Sequence, residues 1–408
     1  MKNETVQSPS KAKNRGLLML VILWLAYVMF AMNWVAGSTL SPQIIHTFFG
    51  QPMSPVVTQL VNYTITAARV VANFLAAFVL IKLGPKRSAN LAMTMLAFAL
   101  LAVWLPNYWA YTVARMIMAL GGSMIIVYMN PVVGNYVAQD KKMIANALNT
   151  VSYNVGAFVT SMLFVGFAKT LQHNWRLTLT SIASVTIVLL VIWLFTAENF
   201  DASTDLSARD EHQIAYTYSD AFKDPFVWKY AIGFSGFLFL YILAVTSFPS
   251  VLPEYATKIN GSLINVLVTG SAIIGTIVGM RIGLTNARRI PVMFVSGVMM
   301  IAAYAAVLWL AASAPLLAYI AAAISGFFMF IQYPIYMNLP HEMPHMSGEK
   351  LTMIFGLFWA IAYLMNTVLT ITWSVILGQW GWGVASGFYI IAACLYLVFV
   401  VQLPETKK

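Results

Sequence analysis

The chain has 408 residues, 60% of them hydrophobic and only 9% charged, with a mean hydropathy of +0.78. A soluble domain carries roughly 25% charged residues, so a soluble protein is excluded, and long continuous apolar runs exclude the short alternating segments of a lipid-facing barrel; the fold expected is an all-α membrane protein. The net charge of +10 would suit a nucleic-acid binder, but the lysines and arginines lie mainly in short loops on one side, as membrane topology requires, so no nucleic-acid partner is expected.

The N-terminus, Met1 to Arg15, is polar and basic. The apolar run that begins at Gly16 is too long for a signal-peptide core and has no clear cleavage site, which reads as a retained first helix. About twelve stretches then reach the length that crosses a bilayer as helix. Their expected bounds are 17–41, 54–81, 88–105, 108–136, 143–167, 176–196, 227–250, 262–283, 290–310, 315–337, 350–378 and 383–402. Turn signals separate many of them: Gly50-Gln51-Pro52, Gly84-Pro85, Pro106-Asn107, Ser313-Ala314-Pro315 and the stretch from Gly378 to Gly383.

Loop charge sets the expected orientation. Basic residues gather in the N-terminal tail (Lys2, Lys11, Lys13, Arg15) and after the second, fourth and eighth spans (Lys82, Lys86 and Arg87; Lys141 and Lys142; Arg281, Arg288 and Arg289). The opposite loops are nearly uncharged apart from Lys169 and Arg176. The positive-inside rule then puts both termini in the cytoplasm and the lipid bilayer of the cytoplasmic (inner) membrane around the spans. Residues 197–226 break the apolar pattern with Glu198, Asp201, Asp205, Asp210, Glu211, Asp220 and Asp224. They read as a solvated linker between two six-helix bundles, residues 1–196 and 227–408. The linker ends in Phe222-Lys223-Asp224-Pro225-Phe226, a short amphipathic lead into the seventh span. The single cysteine, Cys394, excludes a disulfide within the chain.

The halves echo each other. Span two ends in Lys82-Leu83-Gly84-Pro85-Lys86-Arg87, and span eight ends in Arg281-Ile282-Gly283 before Arg288-Arg289. Asn149, Tyr153, Gly156 and Thr160 share one face of span five; a shift of 210 positions reaches Trp359, Tyr363, Asn366 and Thr370 on one face of span eleven. Internal repeats of this kind build many transporters, with the site between the repeats near mid-membrane.

Two such halves, an acidic central linker and basic loops after spans two and eight resemble the major facilitator superfamily over nearly the whole chain. In the loop after span two, Lys82, Gly84, Lys86 and Arg87 fit the family's Gly-x-x-x-Asp-Arg/Lys-x-Gly-x-Arg/Lys-Arg/Lys pattern, whereas Ala77 and Ile81 replace its glycine and aspartate. The resemblance makes this a gating loop; the missing aspartate puts the charge-based latch of the family in question. Arg115, Ala119 and Gly121 are similar to the family's Arg-x-x-x-Gly-x-Gly in span four, with alanine for the first glycine. The layout most resembles the cyanate and nitroimidazole transporter-like branch. What this implies is a secondary transporter working by alternating access.

Arg69 and Arg115 are the only charges deep inside the apolar spans, and no carboxylate joins them. An embedded charge is costly and faces protein or a wet cavity. Asn62, Thr66, Arg69 and Asn73 form one polar stripe on span two. Arg69 can there bind an anion through paired N–H donors, or instead hold backbone carbonyls. Arg115 has the same two readings: the resemblance suggests coupling or cavity support, while packing against neighbouring helices is the structural alternative. Asn33, Asn62, Asn149, Tyr153, Tyr241, Tyr333, Trp359, Tyr363 and Asn366 are candidates to orient a substrate, or to glue helices together. The expectation is a transporter, not an enzyme, for a small organic or inorganic anion, with a co-transported proton as a possible partner and no cofactor or metal. Efflux of amphipathic or neutral compounds is the alternative.

His341-Glu342-Met343-Pro344-His345 matches the zinc-protease pattern H-E-x-x-H. That chemistry needs both histidines on one helical face. Pro344 within the motif works against a helix there, so a membrane metalloprotease is a remote reading. No phosphate-binding loop or nucleophile elbow is present.

Overall fold

The computed structural model describes residues 9–138, 142–198, 217–344, 346 and 348–407. Lys2, Lys141, the carboxylates from Asp201 to Glu211 and His345 lie outside them. Among the described residues the regular elements are all helical. In the N-terminal half they are α1 (Pro9–Thr39), α2 (Ser41–Phe49), α3 (Pro55–Thr58), α4 (Leu60–Val103), α5 (Tyr108–Tyr136), α6 (Lys142–His173) and α7 (Trp175–Thr196). In the C-terminal half they are α8 (Tyr218–Lys223), α9 (Pro225–Thr246), α10 (Phe248–Tyr255), α11 (Gly261–Gly283), α12 (Arg289–Leu310), α13 (Pro315–Asn338), a 3-10 turn (Leu339–Glu342), α14 (Gly348–Ala393) and α15 (Leu395–Val400).

Ten segments among the described residues are long and apolar enough to cross a membrane, and a shorter apolar helix spans Leu60–Ala76. One of the ten, Met353–Val400, is broken at Gly381, where φ is 75° and ψ is −176°, so it crosses twice. Over its described residues the chain is therefore an all-helical, multi-pass membrane protein with twelve crossings in two six-helix bundles. Gly84 breaks α4 in the same way, with φ 74° and ψ 166°. That backbone region is essentially restricted to glycine, and Pro85 then supplies the fixed φ that restarts a helix. The expected turn signals at Gly84 and Gly381 thus act through backbone conformation, although each break lies inside one continuous helical run. The second span begins later than expected. Residues Pro55–Thr58 form a separate turn, and Gln59, at φ −91° and ψ 1°, divides it from α4.

The lead into the seventh span is α8. Thr217 accepts from the Asp220 amide while the Asp220 carboxylate accepts from the Thr217 amide, a reciprocal cap. Asp224 then caps α9 by accepting from Phe226 N, with Pro225 at the first helical position.

Small residues set the closest helix contacts, as in membranes generally. A Cβ at Gly121 on α5 would fall 2.2 Å from the Ala92 carbonyl oxygen of α4, and one at Gly326 on α13 would fall 2.1 Å from that of Val268 on α11. The halves meet where α14 packs on α4 and α11 on α6.

Charge collects at the ends of the C-terminal bundle's helices. Buried Arg289 donates to Glu342 through Nη2 at 2.7 Å and Nε at 3.0 Å, and to the Gly283 carbonyl at 2.8 Å. Glu342 also accepts from Asn338 Nδ2 at 3.0 Å and Thr406 Oγ1 at 2.5 Å. Glu405 accepts from the backbone amides of Arg289 and Ile290 at 2.8 and 3.0 Å. The C-terminal segment is thereby fastened to the start of α12 and to the 3-10 turn after α13.

Candidate substrate cavity

A cavity of about 310 Å³ lies between the two halves. Its lining comes from α1, α4, α5 and α6 on one side and α9, α13 and α14 on the other. Asn130, Asn149, Met337 and Trp359 mark its reach toward the helix ends that share a side with the chain termini. On the remote side the halves are bonded shut. Thr367 Oγ1 shares its proton between Thr66 Oγ1 and the Tyr363 carbonyl, each at 2.8 Å, and Ser247 Oγ donates to Gln59 Oε1 at 2.8 Å.

Arg69 lines this cavity and is the charged group in its lining. It is buried, at 7% exposure, because the polar stripe of α4 faces inward. Nη2 donates to the Tyr27 hydroxyl at 3.0 Å, whereas Nε has no partner within the protein. The guanidinium carbon lies 4.6, 5.5 and 5.6 Å from the ring centroids of Tyr363, Phe30 and Trp34. An arginine held by ring faces and one phenol keeps donors for a ligand; five N–H groups in a planar fork suit a carboxylate or similar oxyanion.

Asn149, Tyr153, Tyr241, Tyr333, Trp359 and Tyr363 also line the cavity. Tyr153 packs edge-on to Trp34, at 5.7 Å between centroids, and to Tyr241 at 6.1 Å. The Tyr241 hydroxyl donates to Asn154 Oδ1 across the halves. Tyr363 stacks on Trp359 at 5.7 Å. The two faces matched by the internal repeat therefore stand on opposite walls, Asn149 and Tyr153 against Trp359 and Tyr363. Deeper in the same helices, Thr160 and Thr370 each donate to the carbonyl four residues back, at 2.9 and 2.7 Å.

Four of the expected residues are not among those that line this cavity. Arg115 lies between α5 and α1 with Nη2 on the Asn33 carbonyl at 2.6 Å, and its Nη2 would be 2.5 Å from a Cβ at Gly37. That backbone bond engages Nη2, while Nε and Nη1 are buried without a partner within the protein. Asn33 itself donates to the Met29 carbonyl at 2.9 Å. Asn62 is glue: it accepts from Trp34 Nε1 at 2.9 Å and Ser38 Oγ at 2.8 Å, and donates to Gln59 Oε1 at 2.7 Å. Asn366 is fully buried on α14, outside the lining, and neither atom of its amide has a partner within the protein.

Other lining residues escaped the sequence reading. Asn130 and Asn154 carry the same signal as Asn149, an amide inside an apolar span. Tyr27, Trp34, Phe234, Phe237 and Phe330 carry none, because the chain has 25 phenylalanines, 19 tyrosines and 12 tryptophans and composition does not say which face the cavity. In the loop after span two, Gly84 forms the break described above and Lys82 Nζ sits 4.3 Å from the Phe78 ring centroid. The H-E-x-x-H match does not make a helical face: Leu339–Glu342 is a 3-10 turn, and Glu342 is engaged by Arg289. Among the described residues no cluster of three or more metal-ligating side chains occurs.

Residues 23–367 match the model of the Major Facilitator Superfamily. An uncharacterized protein of Mesomycoplasma hyopneumoniae is 23% identical over 96% of this chain and 92% of its own length. A major facilitator superfamily transporter of Mycoplasma genitalium is 24% identical over 68% of this chain and 53% of its own. Among solved structures, the xylose transporter XylE from E. coli, in a partially occluded inward-open conformation, superposes with a TM-score of 0.75 at 12% identity, covering 96% of this chain and 98% of that one. The E. coli fucose:proton symporter FucP gives a TM-score of 0.63 at 15% identity, covering 95% and 98%. At these identities the solved structures speak for the fold alone.

Proposed function

We propose that this chain, which belongs to the Major Facilitator Superfamily and is a transporter by that membership, carries a small organic or inorganic anion by alternating access. The observation that carries the proposal is Arg69: an arginine in a cavity between two bundles, with an unpartnered Nε and no carboxylate in the lining. A lone cation there attracts an anion and has no acidic neighbour to neutralise it.

In this reading residues 1–196 and 227–408 rock about the site, joined by 197–226, and the remote-side bonds Thr66–Thr367 and Gln59–Ser247 hold the cavity open toward the termini. The placement of basic loops supports cytoplasmic termini in a cytoplasmic membrane, which makes this an inward-facing state. Asn149, Tyr153, Tyr241, Tyr333, Trp359 and Tyr363 position the substrate; Arg115, Asn33, Asn62 and Asn366 serve the packing around it. Lys82, Gly84, Lys86 and Arg87 act as the gating loop. No carboxylate sits in the spans, so a co-transported proton would ride with the substrate's own charge. The comparisons support the superfamily; the narrower cyanate and nitroimidazole likeness rests on layout alone.

A second reading, efflux of amphipathic or neutral compounds, is favoured by the aromatic share of the lining. Uptake into proteoliposomes of labelled anions, neutral solutes and hydrophobic cations, with and without a pH gradient, separates the two. The anion proposal expects saturable movement of at least one anion and competition by others. Movement of hydrophobic cations or neutral solutes without any anion would replace it with efflux.

A further inference from the structure

The cavity's polarity is divided between its two walls. The N-terminal half supplies Arg69 and the amides Asn73, Asn130, Asn149 and Asn154, whereas the C-terminal half supplies no charged or amide side chain. Besides three phenols, the C-terminal wall is apolar, with Phe234, Phe237, Phe330 and Trp359. Its rings lock one another: Phe237 meets Phe330 at 5.9 Å, and Phe234 stands at 90° to Trp359 at 5.4 Å. The buried lining atoms that lack a hydrogen-bond partner stand on the polar wall. Arg69 Nε, Asn73 Nδ2, Asn149 Nδ2 and the Tyr153 hydroxyl have no partner within the protein.

Resting on the anion reading above, we infer that the cargo is an amphiphilic organic monoanion, a carboxylate with an aromatic or branched apolar body. Its carboxylate binds the N-terminal wall and its body lies on the C-terminal wall. A single guanidinium matches a single negative charge; a second charge would be buried without a partner. A small hydrated anion at Arg69 gains nothing from the rings of Phe234, Phe237 and Phe330, because apolar surface offers it no hydrogen bond. An aromatic or branched body gains from that wall by burial and ring packing. The division also gives each half of the carrier its own part of the cargo, so that only a molecule with both parts bridges the halves.

The test is titration calorimetry on the purified full-length chain in detergent with four probes: phenylacetate, acetate, nitrate and 2-phenylethanol. Phenylacetate is expected to bind at least tenfold more tightly than each of the others, and Phe330→Ala is expected to bring the phenylacetate-to-acetate ratio toward one. Acetate or nitrate binding as tightly as phenylacetate overturns this inference and leaves the anion reading standing. 2-Phenylethanol binding as tightly as phenylacetate overturns both. Absence of phenylacetate binding at millimolar concentration overturns the inference as well. The ratios among wild-type titrations need no variant to fold.

Discussion

The Arg69 guanidinium carbon lies 4.6 Å from the ring centroid of Tyr363, so the cavity's cation is held by one bundle and faced by an aromatic ring of the other. Arg69 stands on α4 and Tyr363 on α14, the helices along which the halves pack. The contact must loosen when the halves part, which ties the state of the cation to the state of the carrier. A desolvated cation–π contact is worth about 0.5–2 kcal/mol. Tyr363→Leu should therefore weaken anion binding by a few-fold to about thirtyfold, whereas Tyr363→Phe, which keeps a ring, should lose less. Competition binding of both variants checks the order; equal losses would mean that the hydroxyl, not the ring, matters.

The remote side is held by few bonds, and one of them is easily removed. Thr367→Val deletes the donor to Thr66 Oγ1, while Thr66 keeps its own bonds to the Asn62 and Tyr63 carbonyls. A net hydrogen bond contributes about 0.5–1.5 kcal/mol, so the outward-facing population should rise about two- to tenfold. A cysteine at Thr58, which lines a cleft on the remote side, should be labelled correspondingly faster in a Cys394→Ser background. An unchanged labelling rate would remove Thr367 from the closure.

Glu342 has a structural role in place of the hydrolytic one its motif suggests. Arg289 is 2% exposed and Glu342 12%, and removing one partner of a buried pair costs about 3–5 kcal/mol. Glu342→Ala should lower the melting temperature clearly, while His341→Ala should change little, and purified protein should carry no stoichiometric zinc. A zinc content that vanished with His341→Ala would revive the metalloprotease.

The C-terminal segment should be sensitive to acid. Burial alone would raise the Glu405 carboxyl, but backbone amides of Arg289, Lys407, Ile290 and Thr406 outweigh it and hold the group below the usual carboxylate range. A carboxyl lowered in the folded state contributes stability above its unfolded value, about 4.3, and loses it as pH falls through the folded value. Wild type should thus exceed Glu405→Gln in thermal stability at pH 7, and the two should converge below about pH 4. A constant gap across that range would assign the difference to packing.

The crossings were legible because twenty apolar residues in sequence leave few alternatives. The turns at Gly84 and Gly381 were legible because a special backbone region needs glycine. Arg69 was found because a charge in an apolar span is rare enough to stand out. Arg115 stood out equally, yet it packs on the Asn33 carbonyl; sequence marks that an arginine is embedded and not which neighbour its face meets. The aromatic wall was invisible for the opposite reason. Phe234 and Phe330 differ from lipid-facing phenylalanines only in what the other bundle brings opposite them, and that pairing is a tertiary fact.

The central claim rests on the charge in the cavity, and saturable anion uptake by proteoliposomes carrying Arg69→Ala measures it most directly. Truncating one partner of a buried charge pair costs about 2–5 kcal/mol. Uptake of an anion that the wild type carries should fall by about thirtyfold or more, with Arg69→Lys between the two and both variants inserted and folded as the wild type is. Uptake by Arg69→Ala at wild-type KM and rate would contradict the account.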